Sequence, residues 1–167
     1  MIYIHKEVVT STQKELLENM ENFPHLTVLS AGYQTQGHGQ FDRIWESDAN
    51  QNILCSILIK YITTKKLVAI QKEVSLVIVR YLEKYLNDVV FKEPNDILVK
   101  GKKIGGVIVE SKTKEHEVLG VVIGFGLNIC QTVFQLNDAT SLQLELNTPI
   151  DLKKIENEII DEIIALF

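Results

Sequence analysis

Lys92-Glu93-Pro94-Asn95-Asp96 opens the stretch from which the fold can be read. It runs on through Ile97-Leu98-Val99 and Lys100-Gly101-Lys102 to Lys103-Ile104-Gly105-Gly106-Val107-Ile108-Val109-Glu110. Pro94 restricts the residue before it to extended geometry and removes a backbone donor, so residues 92–96 are expected to turn into a strand. Apolar residues at 97–99, a tight turn at 100–102 and a returning strand over 103–111 then make a hairpin. Such a hairpin brings Lys103, Asn95 and Asp96 to one end of a sheet. Two glycines inside the returning strand weaken it, which points to something approaching the backbone closely there. An edge hairpin with solvated lysines fits the same residues, and this stretch alone leaves both readings open.

Working outward, residues 69–86 carry Ile70, Val74, Val77, Ile78, Tyr81, Leu82 and Tyr85 at helical period. Residues 118–129 read as an apolar strand broken by Gly120, Gly124 and Gly126 and ending at Asn128. Those glycines suggest either a flat ligand lying on the backbone or a helix packed closely on the sheet. A strand is expected over 1–9, then a helix over 13–22 with Thr12 and Glu15 at capping-box spacing. The hydroxyls of Thr10, Ser11 and Thr12 beside that helix start suit either an anion or simple N-capping. A strand over 26–33 leads into a polar loop, 34–47, long enough to imply function or disorder. Trp45, the only tryptophan, argues for order when the loop closes over something. Residues 52–62 read as a strand buried on both faces, and 151–167 as a final helix with Leu152, Ile155, Ile159, Ile163 and Leu166 on one side. Strands separated by a few helices give an α+β class, a mixed β-sheet with helices packed on it.

The 167 residues suit one domain spanning 1–167. A net charge of −5 offers no general attraction for nucleic acid, so any phosphate chemistry must come from local cations. Cys55 and Cys130 lie in apolar runs without metal or redox spacing, which fits buried thiols in a reducing cytoplasm. No signal peptide is visible, and no apolar run reaches the ~18 residues that a membrane span needs. Walker loops, nucleophile elbows and zinc motifs are likewise missing from the sequence.

Four stretches resemble, in order and spacing, the catalytic domain of the biotin protein ligases. They are Thr10-Ser11-Thr12-Gln13, the run from Gly32 through Gly37-His38-Gly39 to Arg43-Ile44-Trp45, the stretch from Lys92 to Gly106, and Gly124-Phe125-Gly126-Leu127-Asn128. A fifth, Asp138-Ala139-Thr140-Ser141-Leu142, looks like the family's link to its last helix. The resemblance covers nearly the whole chain and implies the biotin–lipoate ligase fold, similar to class II aminoacyl-tRNA synthetases. It also implies that ATP and biotin react, with Mg²⁺, to biotinyl-5′-AMP, and that a lysine of a biotin carboxyl carrier domain then takes the biotin. No DNA or membrane partner is expected, a homodimer is left open, and the place of action is cytoplasmic. The chain reads as lacking the DNA-binding and C-terminal β-domains that some members carry.

Carried over residue by residue, the resemblance makes Ser11, Thr12, Gln34 and Gly37 contacts of the biotin head group. Gly105 and Gly106 would line its slot, and Trp45 would close over it. Lys103 would sit where the biotin carboxylate meets the α-phosphate, with Asn95 and Asp96 near the phosphates and Mg²⁺. His38, Gln40, Arg43 and Asn128 would be on the nucleotide side. The sequence also departs from the family. His38 stands where arginine is usual, Gln40 and Phe41 replace further loop arginines, Asp42 replaces a glycine, Glu93 a tryptophan and Thr10 an aspartate. Neither His nor Gln offers the bidentate guanidinium that grips phosphate, so slower adenylation is expected. The alternatives are a protein that binds biotin or its adenylate with little turnover, and a lipoate ligase relative.

Overall fold

The computed structural model describes residues 1–115, 117–135 and 137–167. Strands β1 (Ile2–Val9), β2 (Thr27–Gln34), β3 (Asn52–Ile59), β4 (Val89–Lys92), β5 (Asp96–Val99), β6 (Lys102–Lys114) and β7 (Glu117–Asn128) alternate with helices α1 (Thr12–Glu18), α2 (Thr64–Leu82), α3 (Leu142–Leu146) and α4 (Leu152–Ile164). Among the described residues, the seven strands form one sheet in the order β1-β2-β3-β7-β6-β5-β4. Only the β1–β2 pair is parallel. The expected α+β mixed sheet is therefore what the chain forms.

Burial explains the layering. All eight residues of β3 are buried, as a central strand covered on both faces must be. On one face α2 and α4 cover the sheet. Ile70, Val74, Ile78 and Leu82 of α2 and Ile155, Ile159 and Ile163 of α4 join Ile57, Val107, Ile123 and Phe125 in the main core. On the other face the short α1 and the turn after it cover less, packing Leu16 and Met20 onto Leu29, Leu58 and Val122. The rest of that face, toward Asn52, Gly106 and Asn128, carries no helix among the described residues and is roofed by the loop between β2 and β3 and by the segment after β7. That uneven cover creates the cleft.

Several expected boundaries move, for local reasons. Thr63 caps α2 by accepting from Lys66 N–H, so the helix starts within a polar turn that the apolar period cannot register. Ser11, not Thr12, caps α1, accepting from Lys14 N–H at 3.3 Å. Glu15 turns outward to pair with Lys6, leaving Thr12 free to face the sheet. The four residues of β4 were not foreseen as a strand, because they follow the end of α2 with too few positions to show alternation. α1 stops at Glu18 and hands over to a 3₁₀ turn, Met20–Asn22, and β3 stops at Ile59.

Candidate active site

Alternation along β6 and β7 sets the floor of the cleft. Gly106 faces Gly126 across the pair, and Ile108 faces Gly124. A Cβ on Gly126 would fall 2.5 Å from Cε2 of Trp45, and one on Gly106 would meet Asn95 O at 3.4 Å and Trp45 Cζ3 at 3.7 Å. Real side chains do not tolerate the first contact, so glycine at 126 is what lets the indole lie on the sheet. Gly124 makes room for Gln13 of α1, whose Oε1 would sit 2.5 Å from an added Cβ. At Gly124 the closely packed helix is thus the reading that holds. Gly105 points to the opposite face, toward Leu127 in the core, where a Cβ would fall 2.2 Å from Cδ2. Of the two glycines whose backbone was expected to line the slot, Gly106 is among the cleft's lining residues and Gly105 faces the core, since faces alternate along a strand.

The cleft, as the loop covers it here, leaves about 70 Å³ of free space. Its walls include Ser11, Thr12, Gln34, His38, Gln40, Arg43, Trp45, Asn95, Lys103 and Gly106 among the residues singled out from sequence. One end is polar and internally bonded. The Thr12 N–H donates to Gln34 Oε1 at 2.8 Å, Thr12 Oγ1 lies 2.8 Å from Ser56 Oγ, and Ser56 Oγ donates to Gln13 Oε1 at 3.1 Å. Gln13 Nε2 in turn donates to Val122 O at 2.9 Å. Gln13 and Ser56 were not anticipated. The available signal was Gln13 itself, a polar residue on the same stripe as Leu16 and Met20.

At the other end Lys103 Nζ lies 2.7 Å from Asp96 Oδ1 and 5.5 Å from the Trp45 ring centre. Asn95 carries the turn before β5, and its backbone O accepts from Val107 N–H at 2.9 Å. A neighbouring depression groups Asn128, Phe134, Gln135, Asp138 and Ala139 with Lys103 and Trp45. Asn128 is buried there and donates through Nδ2 to Thr140 O at 3.1 Å. Gly37, within the loop, is not among the residues lining the main cleft, and its carbonyl accepts from Trp45 N–H at 2.9 Å.

The loop carries polar atoms that nothing satisfies. His38 Nδ1, Gln40 Oε1, Trp45 Nε1 and, opposite them on β6, Glu110 Oε2 are buried without a hydrogen-bond partner among the described residues. His38 Nε2 lies 3.5 Å from Glu110 Oε2. A carboxylate facing His38 opposes the phosphate contact expected of that residue. Phe41 adopts φ 57° and is 84% exposed. A bulky residue in the left-handed region is uncommon and marks a loop under local strain. Cys55, on the core face of β3, is a free thiol that burial pushes well above its ordinary pKa.

Metal donors are sparse. Among the described residues no three ligating side chains cluster, and the carboxylate nearest the mouth, Asp96, already holds Lys103. Such a set suits a Mg²⁺ carried chiefly by phosphate oxygens and water, and not an all-protein cage. Among the described residues, no helix is long and apolar enough to cross a membrane.

The fold as a whole matches those of solved biotin protein ligases. A biotin protein ligase from Aquifex aeolicus in complex with biotin and ATP superposes with a TM-score of 0.80 at 25% identity, covering 98% of this chain and 69% of that one. The Leishmania major enzyme in complex with biotinyl-5-AMP gives 0.83 at 22% identity, covering 99% and 74%. The chain belongs to the biotin/lipoate A/B protein ligase family, whose model matches residues 6–128. The bifunctional ligase/repressor BirA of Bacillus spizizenii is 33% identical over 158 residues, 89% of this chain and 48% of that protein. The biotin–[acetyl-CoA-carboxylase] ligase of Mycobacterium tuberculosis is 29% identical over 151 residues, 83% and 53%. The chain thus spans about half the length of these curated relatives.

Proposed function

We propose that residues 1–167 form the catalytic domain of a biotin protein ligase, which joins biotin to ATP as biotinyl-5′-AMP and passes the biotinyl group to a lysine of a biotin carboxyl carrier domain. The observation that carries this reading is the lysine at the cleft mouth. Lys103, steadied by Asp96 at 2.7 Å, stands at one end of a glycine-floored cleft whose other end is a hydrogen-bonding cluster. Relatives with this fold hold biotin with ATP, and biotinyl-5-AMP.

In this scheme Ser11, Thr12 and Gln34 bind the ureido head at the polar end, and Gly106 lets the ligand approach the strand. The biotin carboxylate oxygen attacks the α-phosphorus, and the bond to pyrophosphate breaks. Lys103 neutralises the charge that develops there, a fixed cation being most effective where water is excluded. Trp45 provides that exclusion. Asn95 and Asp96 would supply the protein donors to Mg²⁺, which offsets phosphate charge when bound. In the second step the carrier amine attacks the acyl carbon, the acyl–phosphate bond breaks, AMP leaves, and the amine loses a proton. His38, Gln40, Arg43 and Asn128 take the nucleotide side. The domain works in the cytoplasm, consistent with its two free thiols.

One observation favours the second reading, binding with little turnover. Glu110 Oε2 lies 3.5 Å from His38 Nε2, and its negative charge would oppose a phosphate on the side that this scheme gives to His38. Incubation with biotin, MgATP and a purified biotin carboxyl carrier domain separates the two readings. The ligase reading expects a biotinylated carrier lysine by mass spectrometry, and an unmodified carrier beside tightly bound biotin would select the other.

A further inference from the structure

Lys103 does not hold its own position. Its backbone N–H donates to Asp138 O at 2.7 Å, and its carbonyl accepts from Thr140 N–H at 2.9 Å. The strap of residues 138–140 thus runs beside it as a one-residue parallel bridge. On its other side, residues 100–101 turn the chain between β5 and β6. Glu145 of α3 reaches both. Its Oε1 accepts from Thr140 Oγ1 at 2.7 Å, and its Oε2 accepts from Lys100 Nζ at 2.9 Å. The Glu145 side chain is 12% exposed. Burial raises its pKa, but the Thr140 hydroxyl, Lys100 and the charge of Lys102 outweigh that and hold the carboxyl below its ordinary value. Glu145 does not line the cleft, and no step proposed above uses it. Nor does α3 need it as a cap, since Ser141 Oγ already accepts from Leu144 N–H at 3.2 Å.

We infer that Glu145 is a positioning residue for the adenylation step: by tying the strap to the hairpin turn, it fixes the backbone of Lys103 and so the ammonium against Asp96. The inference rests on the role given to Lys103 above. A carboxylate that bonds two segments on either side of one residue constrains that residue's strand end more than either bond would alone. Catalysis that depends on a cation within a few tenths of an ångström is sensitive to such a constraint.

The test compares the whole protein with Glu145→Ala and Glu145→Gln, the latter keeping an acceptor for Thr140. Two readouts are taken on each folded protein, with circular dichroism as the control. Single-turnover adenylate formation should slow about tenfold in Glu145→Ala and less in Glu145→Gln, with the KM for biotin unchanged. Independently of activity, limited acetylation read by mass spectrometry should label Lys103 several-fold faster in Glu145→Ala, while Lys60 and Lys65 are unaffected. Thr140→Val combined with Glu145→Ala should slow the reaction no further than Glu145→Ala alone. Unchanged Lys103 labelling in a folded Glu145→Ala overturns the inference, whatever happens to the rate. If wild type forms no adenylate, the ligase reading fails, and the labelling arm still decides whether Glu145 holds Lys103.

Discussion

Lys103 belongs to neither apolar cluster of the core, and its charge is spent on Asp96 and the face of Trp45. Lys103→Ala should therefore leave thermal unfolding nearly unchanged while slowing adenylate formation by about 10²–10³. Rapid-quench measurement of adenylate against a melting curve checks both halves. Glu145 yields a prediction in pH. Its folded-state pKa is depressed, so its stabilisation is fully present above the unfolded value and is lost as pH falls through the folded one. Wild type should exceed Glu145→Gln by on the order of 1 kcal/mol near pH 7, and urea melts should show the gap closing as pH falls through and below the ordinary carboxylate range. A gap that persists into acid would mean the carboxylate's charge is not what matters. At this scale the sequence was informative where chemistry is unusual and silent where geometry decides. Lys103, Asn95 and Asp96 could be named from a turn and a hairpin. Gly105 and Gly106 look alike in sequence, but only the pleat assigns one to the cleft and the other to Leu127. Ser56 sits unmarked in an apolar strand, and its place in the polar cluster depends on which face of β3 meets α1.

Between β2 and β3 the loop acts as an element of its own, a short 3₁₀ turn at Gln40–Asp42 closed by an antiparallel bridge of His38 with Ile44. Its three unsatisfied side-chain atoms, the facing Glu110 and the left-handed Phe41 leave its tip under tension, while backbone bonds such as Gly39 N–H to Arg43 O and Trp45 N–H to Gly37 O hold its two arms together and Trp45 lies on Gly126. Gly126→Ala should push the indole off the sheet, since the added carbon would stand 2.5 Å from the ring. Because Trp45 is the only tryptophan, its emission should shift to the red and quench more readily with iodide. Identical spectra for the two proteins would show that the indole does not rest there in solution. The other elements were legible in proportion to their length and burial. α2 shows its apolar period over four turns, and β3 is a continuous apolar run. β4 and α3, at four and five residues, carry too few positions for any period to emerge. Their existence follows from pairing with β5 and from capping by Ser141, which are tertiary and local facts respectively.

For the molecule as a whole, the sheet separates stability from chemistry. The α2–α4 face holds the main core, and the α1 face holds the cleft, so damage to one should spare the other. Ile159→Ala, in the fully buried centre of α4, should cost about 2–5 kcal/mol of stability and leave biotin affinity of the folded protein unchanged. Calorimetric titration below the melting range would reveal any coupling between the faces. The same topology brings the β5–β6 hairpin, the end of β7 and the β2–β3 loop to one edge of the cleft, though they lie far apart in the chain. The central claim is that this edge activates a carboxylate with ATP, and its most direct measurement uses α-³²P-labelled ATP, biotin and Mg²⁺ with wild type and Lys103→Ala side by side. The account predicts biotin-dependent labelled biotinyl-adenylate from wild type and a trace at most from the variant. No adenylate from wild type, or equal amounts from both proteins, would contradict it.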